Sequence, residues 1–225
     1  MIELTVLRTD VADAVLDGYR TDLTVDEQQA FAKLRRASDR RSRLVTRAVL
    51  RRQLGRKLGC APIDVPLSFQ MNGKPVLDGA DSQRWHFNVS HSEDVALMAV
   101  SDSPVGVDVE TGFDGDAMVL AQQFFSHAEH QRVARADNVL AAFLSVWTAK
   151  EAVVKMSGHG LRVDTRSFCV PQASTSFQPL LPPYPVAQWQ GCQIASPSLV
   201  PGCSMAVCVQ GEHAWQDMRV EYYEH

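Results

Sequence analysis

The run Val105-Gly106-Val107-Asp108-Val109-Glu110 sets two carboxylates two residues apart. In a strand, Val105, Val107 and Val109 point to one face and Gly106, Asp108 and Glu110 to the other. Two acids sharing a face repel each other unless a cation sits between them. A hard cation such as Mg²⁺, which takes oxygen ligands, meets that need. A strand with a solvated acidic face gives the same pattern.

A second run, Trp147-Thr148-Ala149-Lys150-Glu151-Ala152-Val153-Val154-Lys155, puts Trp147, Glu151 and Lys155 on one stripe of a helix at spacings of four. An exposed Glu–Lys pair at that spacing contributes about 0.2–0.5 kcal/mol and is ordinarily a surface feature. Here the stripe carries a tryptophan on an otherwise apolar helix, which suggests partial burial between two lobes. The third run, Phe87-Asn88-Val89-Ser90-His91-Ser92, ends a strand with small polar groups. Its hydroxyl, imidazole and backbone N–H groups suit a phosphate, and they also suit a plain turn. A hydrolase triad lacks its GxSxG elbow. His127 and His130 form an HxxH with no cysteine or third histidine nearby to make a zinc site.

Charge is concentrated. Lys33, Arg35, Arg36, Arg40, Arg41, Arg43, Arg47, Arg51, Arg52, Arg56 and Lys57 fall in one stretch with Asp39 as the sole acid, although the chain's net charge is -4. Such asymmetry points to a polyanionic ligand or an acidic partner, or else to a solvated helix face.

The elements that must position these groups follow from periodicity. Residues 1–9 read as a strand, and the acid at Glu3 argues against a signal peptide. Asp26 to about Leu58 reads as helical, broken near Ala37-Ser38-Asp39 with Ser38 or Asp39 as a cap. Leu44, Val45, Ala48, Val49 and Leu54 form its core stripe. Asn72-Gly73 is a turn, and strands follow at Trp85 to Val89, Val95 to Val100 and Val105 to Val109. Met118 to Ala136 reads as one helix. Asp137 or Asn138 caps the next, which runs to about Ser157 and ends at Gly158 and Gly160. Seven of the eleven prolines lie between Pro171 and Pro201, an irregular connection, before strands at Gly191 to Ala195, Ser204 to Val209 and Met218 to Tyr222.

With 225 residues, 45% of them hydrophobic, the chain can bury one large core or two small ones. The helix-then-strands order occurs twice. The expected fold is α+β, a pseudo-twofold monomer of two similar lobes, 1–103 and 104–225, with the active site in the cleft between them. No apolar run is long enough to span a membrane. Five cysteines without a CxxC read as buried thiols in a reducing cytoplasm.

Taken together, Gly73-Lys74-Pro75, Phe87 to Ser92, Gly106 to Glu110, Phe124-Phe125-Ser126 with Glu129, and Trp147 to Ala152 with Lys155 resemble the surfactin-synthetase-activating class of 4'-phosphopantetheinyl transferases, in order and spacing. The likeness covers roughly residues 35 to 170. It implies a Mg²⁺-dependent enzyme that moves the 4'-phosphopantetheine arm of coenzyme A to a serine of an apo acyl or peptidyl carrier protein. Adenosine 3',5'-bisphosphate is the implied product. It further implies Asp108, Glu110 and Glu151 as metal ligands, and Glu151, Lys155 and His91 as catalytic groups. Arg43, Lys74, Asn88, Ser90, His91 and Lys155 are the implied coenzyme A contacts, Arg43 on the 3'-phosphate. The segment Gln122 to His127 is expected to border the carrier's docking surface, unless Phe124 and Phe125 are core. Two rivals stand against this reading: a metal-dependent nuclease, and a non-catalytic module that binds coenzyme A or a carrier. The nuclease lacks any basic-aromatic interleaving or DNA-binding motif, so no nucleic-acid partner is expected.

Overall fold

The structure is a computed structural model that describes residues 1–69, 75–180, 189–211 and 217–223. Lys74, the Asn72-Gly73 turn and part of the proline-rich connection lie outside the described residues. In chain order the elements are β1 (Ile2–Arg8), α1 (Asp13–Arg20), α2 (Val25–Ala32), α3 (Ala37–Leu58), β2 (Leu67–Phe69), β3 (Pro75–Leu77), β4 (His86–Ser92), β5 (Val95–Ser101) and β6 (Val105–Glu110). There follow α4 (Ala117–Phe124), α5 (His127–Ala134), α6 (Val139–Ser157), β7 (Gln178–Pro179), β8 (Cys192–Ala195), β9 (Ser204–Gln210) and β10 (Met218–Tyr223).

Two four-stranded sheets form, ordered β10-β1-β5-β4 and β6-β9-β8-β7. Strand alternation decides how they stack. Val95, Leu97 and Ala99 of β5 join Ile2, Leu4 and Val6 of β1 and face Val105, Val107 and Val109 of β6 in a single buried cluster. The other face of β5, Ala96, Met98 and Val100, packs against Leu44, Val45, Ala48 and Val49 of α3. On the far side, Ala149, Ala152 and Val153 of α6 cover Ala206 and Cys208 of β9. The layering is therefore helix, sheet, sheet, helix, an α+β fold in which a helix-backed sheet occurs twice. β5 is buried along its whole length because both of its faces are covered. β10, from the second half of the chain, lies parallel to β1 in the first sheet.

The helix boundaries differ from the sequence reading in two places. Thr24 opens α2 with a reciprocal capping box to Glu27, and α3 starts afresh at Ala37, so Ser38 and Asp39 lie inside its first turn and cap nothing. The span from Met118 to Ala136 is two helices. Phe125 is extended and Ser126 caps α5 through a second capping box with Glu129. Asn138 caps α6, and Gly158, at φ 72, ends it.

Gly106 sets how closely α6 lies on β6. A Cβ there would stand 2.1 Å from the carbonyl oxygen of Ala152 and 2.3 Å from the Met156 nitrogen, both backbone atoms that cannot swing aside. Gly106→Ala should therefore lose about 3 kcal/mol, the upper end of ordinary overpacking. Chemical denaturation would measure it. A variant as stable as the parent would show that the helix has room to move.

Candidate active site

The site forms where the edge strands β4 and β6 run beside each other and α6 crosses β6. Every second residue of β4 reaches across. Asn88 Oδ1 accepts from the Val107 N–H at 2.9 Å, Ser90 Oγ donates to Asp108 Oδ1 at 2.8 Å, and Ser92 Oγ donates to Glu110 Oε2 at 2.9 Å. The period of two on each strand turns three polar side chains into rungs that fix β6. From α6, Lys155 Nζ donates to Asp108 Oδ1 at 2.5 Å and to Ser90 Oγ at 2.9 Å. Asp108 is only 2% exposed, which rules out a solvated acidic strand.

A cleft of about 750 Å³ opens over these groups. Asp108, Glu110, Trp147, Glu151 and Lys155 line it from the second half of the chain, and Arg43, Thr46, Arg47, Asn88, Ser90 and His91 from the first. The geometry thus brings together nearly every site residue expected from the sequence. Asn88, Ser90 and Lys155 also serve as internal ties. Ser92, Phe31 and Thr46 were missed. Ser92 stood in the motif, but its partner Glu110 lies across a seam that sequence order does not reveal.

Electrostatics divide the cleft. Burial raises the Asp108 carboxyl, outweighing the Lys155 and Ser90 contacts. Burial also raises Glu151, and the Asp108 and Glu110 charges add to it against Lys155. Glu110 is raised by burial and by Asp108, with hydrogen bonds from Ser92 and Trp147 in opposition. In the same cleft, burial, Arg43 and Lys155 push His91 down to about 4, so its imidazole is neutral at pH 7. Arg43 is exposed, and among the described residues it makes no hydrogen bond or ion pair.

Its neighbours in the basic stretch are committed elsewhere. Arg51 donates to Glu27 and to the carbonyls of Pro62, Ile63 and Val65, and Arg47 donates to Glu27 at 2.7 Å. Arg52 meets Asp22, Lys57 meets Glu3 and Arg41 meets Asp13. Burial opposes ionisation of Glu27, but the Arg51 and Arg47 hydrogen bonds overcome it and hold the carboxyl low. Much of the stretch therefore staples α3 to the lobe, and Arg43 is left facing the cleft. Phe125 is 3% exposed in the core and stacks on Phe143, while Phe124 packs edge-on against Trp147. For Phe125 the core reading holds over the docking one.

Whether these residues suit a metal rests on donor chemistry. Three carboxylates line the cleft, and among the described residues Asp108 Oδ2 is buried with no hydrogen-bond partner. That donor set suits a hard cation. Among the described residues, however, no three acids, histidines or cysteines stand grouped to hold one as they are. Lys155 sits on Asp108 instead.

The α+β fold thus brings acids, a lysine and an exposed arginine together in one cleft. The family described as the 4'-phosphopantetheinyl transferase superfamily matches residues 104–203, and the N-terminal 4'-phosphopantetheinyl transferase family matches residues 17–103. The chain is 30% identical over 165 residues to the 4'-phosphopantetheinyl transferase HetI of Nostoc sp., covering 71% of this chain and 70% of the relative. It is 28% identical over 221 residues to the enzyme psf-1 of Bacillus pumilus, covering 97% and 92%. To Sfp of Bacillus subtilis it is 25% identical over 215 residues, covering 92% and 91%. The chain belongs to the 4'-phosphopantetheinyl transferase superfamily. That membership sets aside both the nuclease and the non-catalytic module.

Proposed function

We propose that this enzyme transfers the 4'-phosphopantetheine group of coenzyme A to a serine of an apo acyl or peptidyl carrier protein. Adenosine 3',5'-bisphosphate leaves. The observation that carries the reading is the convergence of Asp108, Glu110, Glu151 and Lys155 opposite Arg43 and His91 in one cleft. The two halves of that cleft suit the two ends of coenzyme A, a reacting pyrophosphate and a distant 3'-phosphate.

In this reading the carrier's serine oxygen bonds to the β-phosphorus, and the bond from that phosphorus to the bridging oxygen breaks. The bridging oxygen departs on the 5'-phosphate of adenosine 3',5'-bisphosphate. Glu151 takes the serine proton, a role suited to a carboxyl raised by burial and by two neighbouring acids. Lys155 faces the charge that grows on the leaving phosphate, and neutral His91 donates a hydrogen bond from the opposite wall. Asp108, Glu110 and Glu151 are the residues that would hold Mg²⁺, which when bound supplies neutralising charge to the pyrophosphate oxygens. Incubation with coenzyme A, Mg²⁺ and an apo carrier should raise the carrier's intact mass by one phosphopantetheine. An unchanged mass across acyl and peptidyl carriers would sink the proposal.

Arg43 has a separable role. Its charge grips the 3'-phosphate, which does not react, so the contact is alike in ground and transition states. Arg43→Ala should lose about 1.5–3 kcal/mol of binding, a roughly 10- to 150-fold rise in the KM for coenzyme A at nearly unchanged kcat. It should also discriminate less against coenzyme A lacking the 3'-phosphate. A fall in kcat with KM intact would place Arg43 at the reacting end.

A further inference from the structure

The acidic seam is locked in this structure, and the lock is Lys155. Asp108 Oδ1 already accepts from both Lys155 Nζ and Ser90 Oγ, at 2.5 and 2.8 Å. Its other oxygen, Oδ2, is shut away from solvent, with no hydrogen-bond partner among the described residues. A cation from solution thus finds no open oxygen on Asp108. The Lys155 side chain is 29% exposed and lines the cleft, however, so its ammonium is within reach of an anion bound there. Arg43 and His91, which line the same cleft, leave that space suited to an anion.

We propose that Lys155, seated on Asp108 and Ser90, is the resting counter-ion of the acidic seam, and that a divalent cation gains Asp108 only after a polyphosphate anion draws Lys155 away. The ammonium exchanges one oxyanion for another, and the cation then takes the oxygens it vacates. Cation and polyphosphate therefore strengthen each other's binding by equal factors. The polyphosphate is coenzyme A on the reading above. The cation half of the proposal stands without that reading.

Two measurements on the full chain test it. The first titrates Mn²⁺ alone, with free Mn²⁺ counted by electron paramagnetic resonance. Lys155→Met should bind Mn²⁺ about tenfold or more tightly than the parent, whereas Arg43→Met, which removes a charge from the same cleft, should change less than about twofold. Ser90→Ala keeps every charge and only loosens the latch, so it should tighten Mn²⁺ a few-fold. It also decides the question should Lys155→Met fail to fold. Equal affinities for the parent, Lys155→Met and Ser90→Ala overturn the proposal. So does tightening by Arg43→Met as large as that by Lys155→Met, which would reduce the effect to a diffuse field. Absence of Mn²⁺ binding in every variant overturns it too. The second measurement titrates coenzyme A calorimetrically in metal-free buffer, where Lys155→Met should bind about tenfold more weakly because the lysine has moved to the anion. Unchanged binding there overturns the exchange. If the Mn²⁺ results hold while no carrier is ever modified, the transferase reading fails and the latch survives.

Discussion

Glu151→Gln should depress kcat by about a thousandfold or more, because it removes the proposed proton acceptor and one of three carboxylates in the cleft while keeping the side chain's shape. The expected loss follows from the surroundings. Glu151 lies in the wall of a cleft with Asp108 and Glu110, and burial together with those two charges keeps its carboxyl basic. A glutamine takes no proton and weakens the seam's hold on any cation. Raising Mg²⁺ should therefore not restore the rate. The KM for coenzyme A should change far less than kcat, since Arg43 and His91 remain in the cleft. Single-turnover kinetics on the carrier would separate the chemical step from binding. A variant retaining a tenth of the parental kcat would move the base elsewhere, with Asp108, already tied to Lys155 and Ser90, the next candidate.

How much of this was visible beforehand depended on whether the deciding contact was local. The alternation in Val105 to Glu110 told which side of β6 would be acidic, and the structure keeps the valines in the inter-sheet core. The stripe Trp147, Glu151, Lys155 followed from helical spacing alone. The direction of Lys155 did not, because its partner Asp108 sits on another element. The capping boxes Thr24 to Glu27 and Ser126 to Glu129 are S/T-x-x-E patterns that mark two helix starts; the reading from Asp26 came within a residue of the first, and the single helix from Met118 to Ala136 ran across the second. Helix α1 gave no start signal. Its cap position is Ala12, without a side-chain bond, and Gly18 weakens the pattern inside it. Burial of Leu16 and Tyr19, with Arg41 and Arg52 reaching over from α3, holds it in place. The arginines of α3 were the hardest to read. Local spacing does not tell an arginine buried on Glu27 from one facing the cleft.

The pair Glu129–Lys150 carries the largest expected effect on stability. Both belong to runs that supported the family resemblance, and neither lines the cleft. Glu129 is 1% and Lys150 2% exposed, and their side chains meet at 2.9 Å. Lys150 also donates to the carbonyls of Thr165 and Phe168, and Glu129 accepts from the backbone N–H of Ser126 and Val170. The pair thereby ties α5 and the segment 165–170 to α6, the helix that also carries Glu151. Glu129→Ala strands a buried ammonium and two backbone N–H groups, and should lose about 3–5 kcal/mol. Burial already lowers Lys150 against the pull of Glu129, and loss of the partner lowers it further. The unfolded chain keeps that proton up to the ordinary lysine range while the folded variant sheds it earlier. The variant should therefore regain part of its stability as pH rises towards 10. Glu129→Leu combined with Lys150→Met, which removes both charges, should be less damaging than either single alanine change. Denaturant midpoints measured across pH decide the matter. If Glu129→Ala matches the parent, or its deficit does not shrink with rising pH, the pair is not the tie that holds α5 to α6.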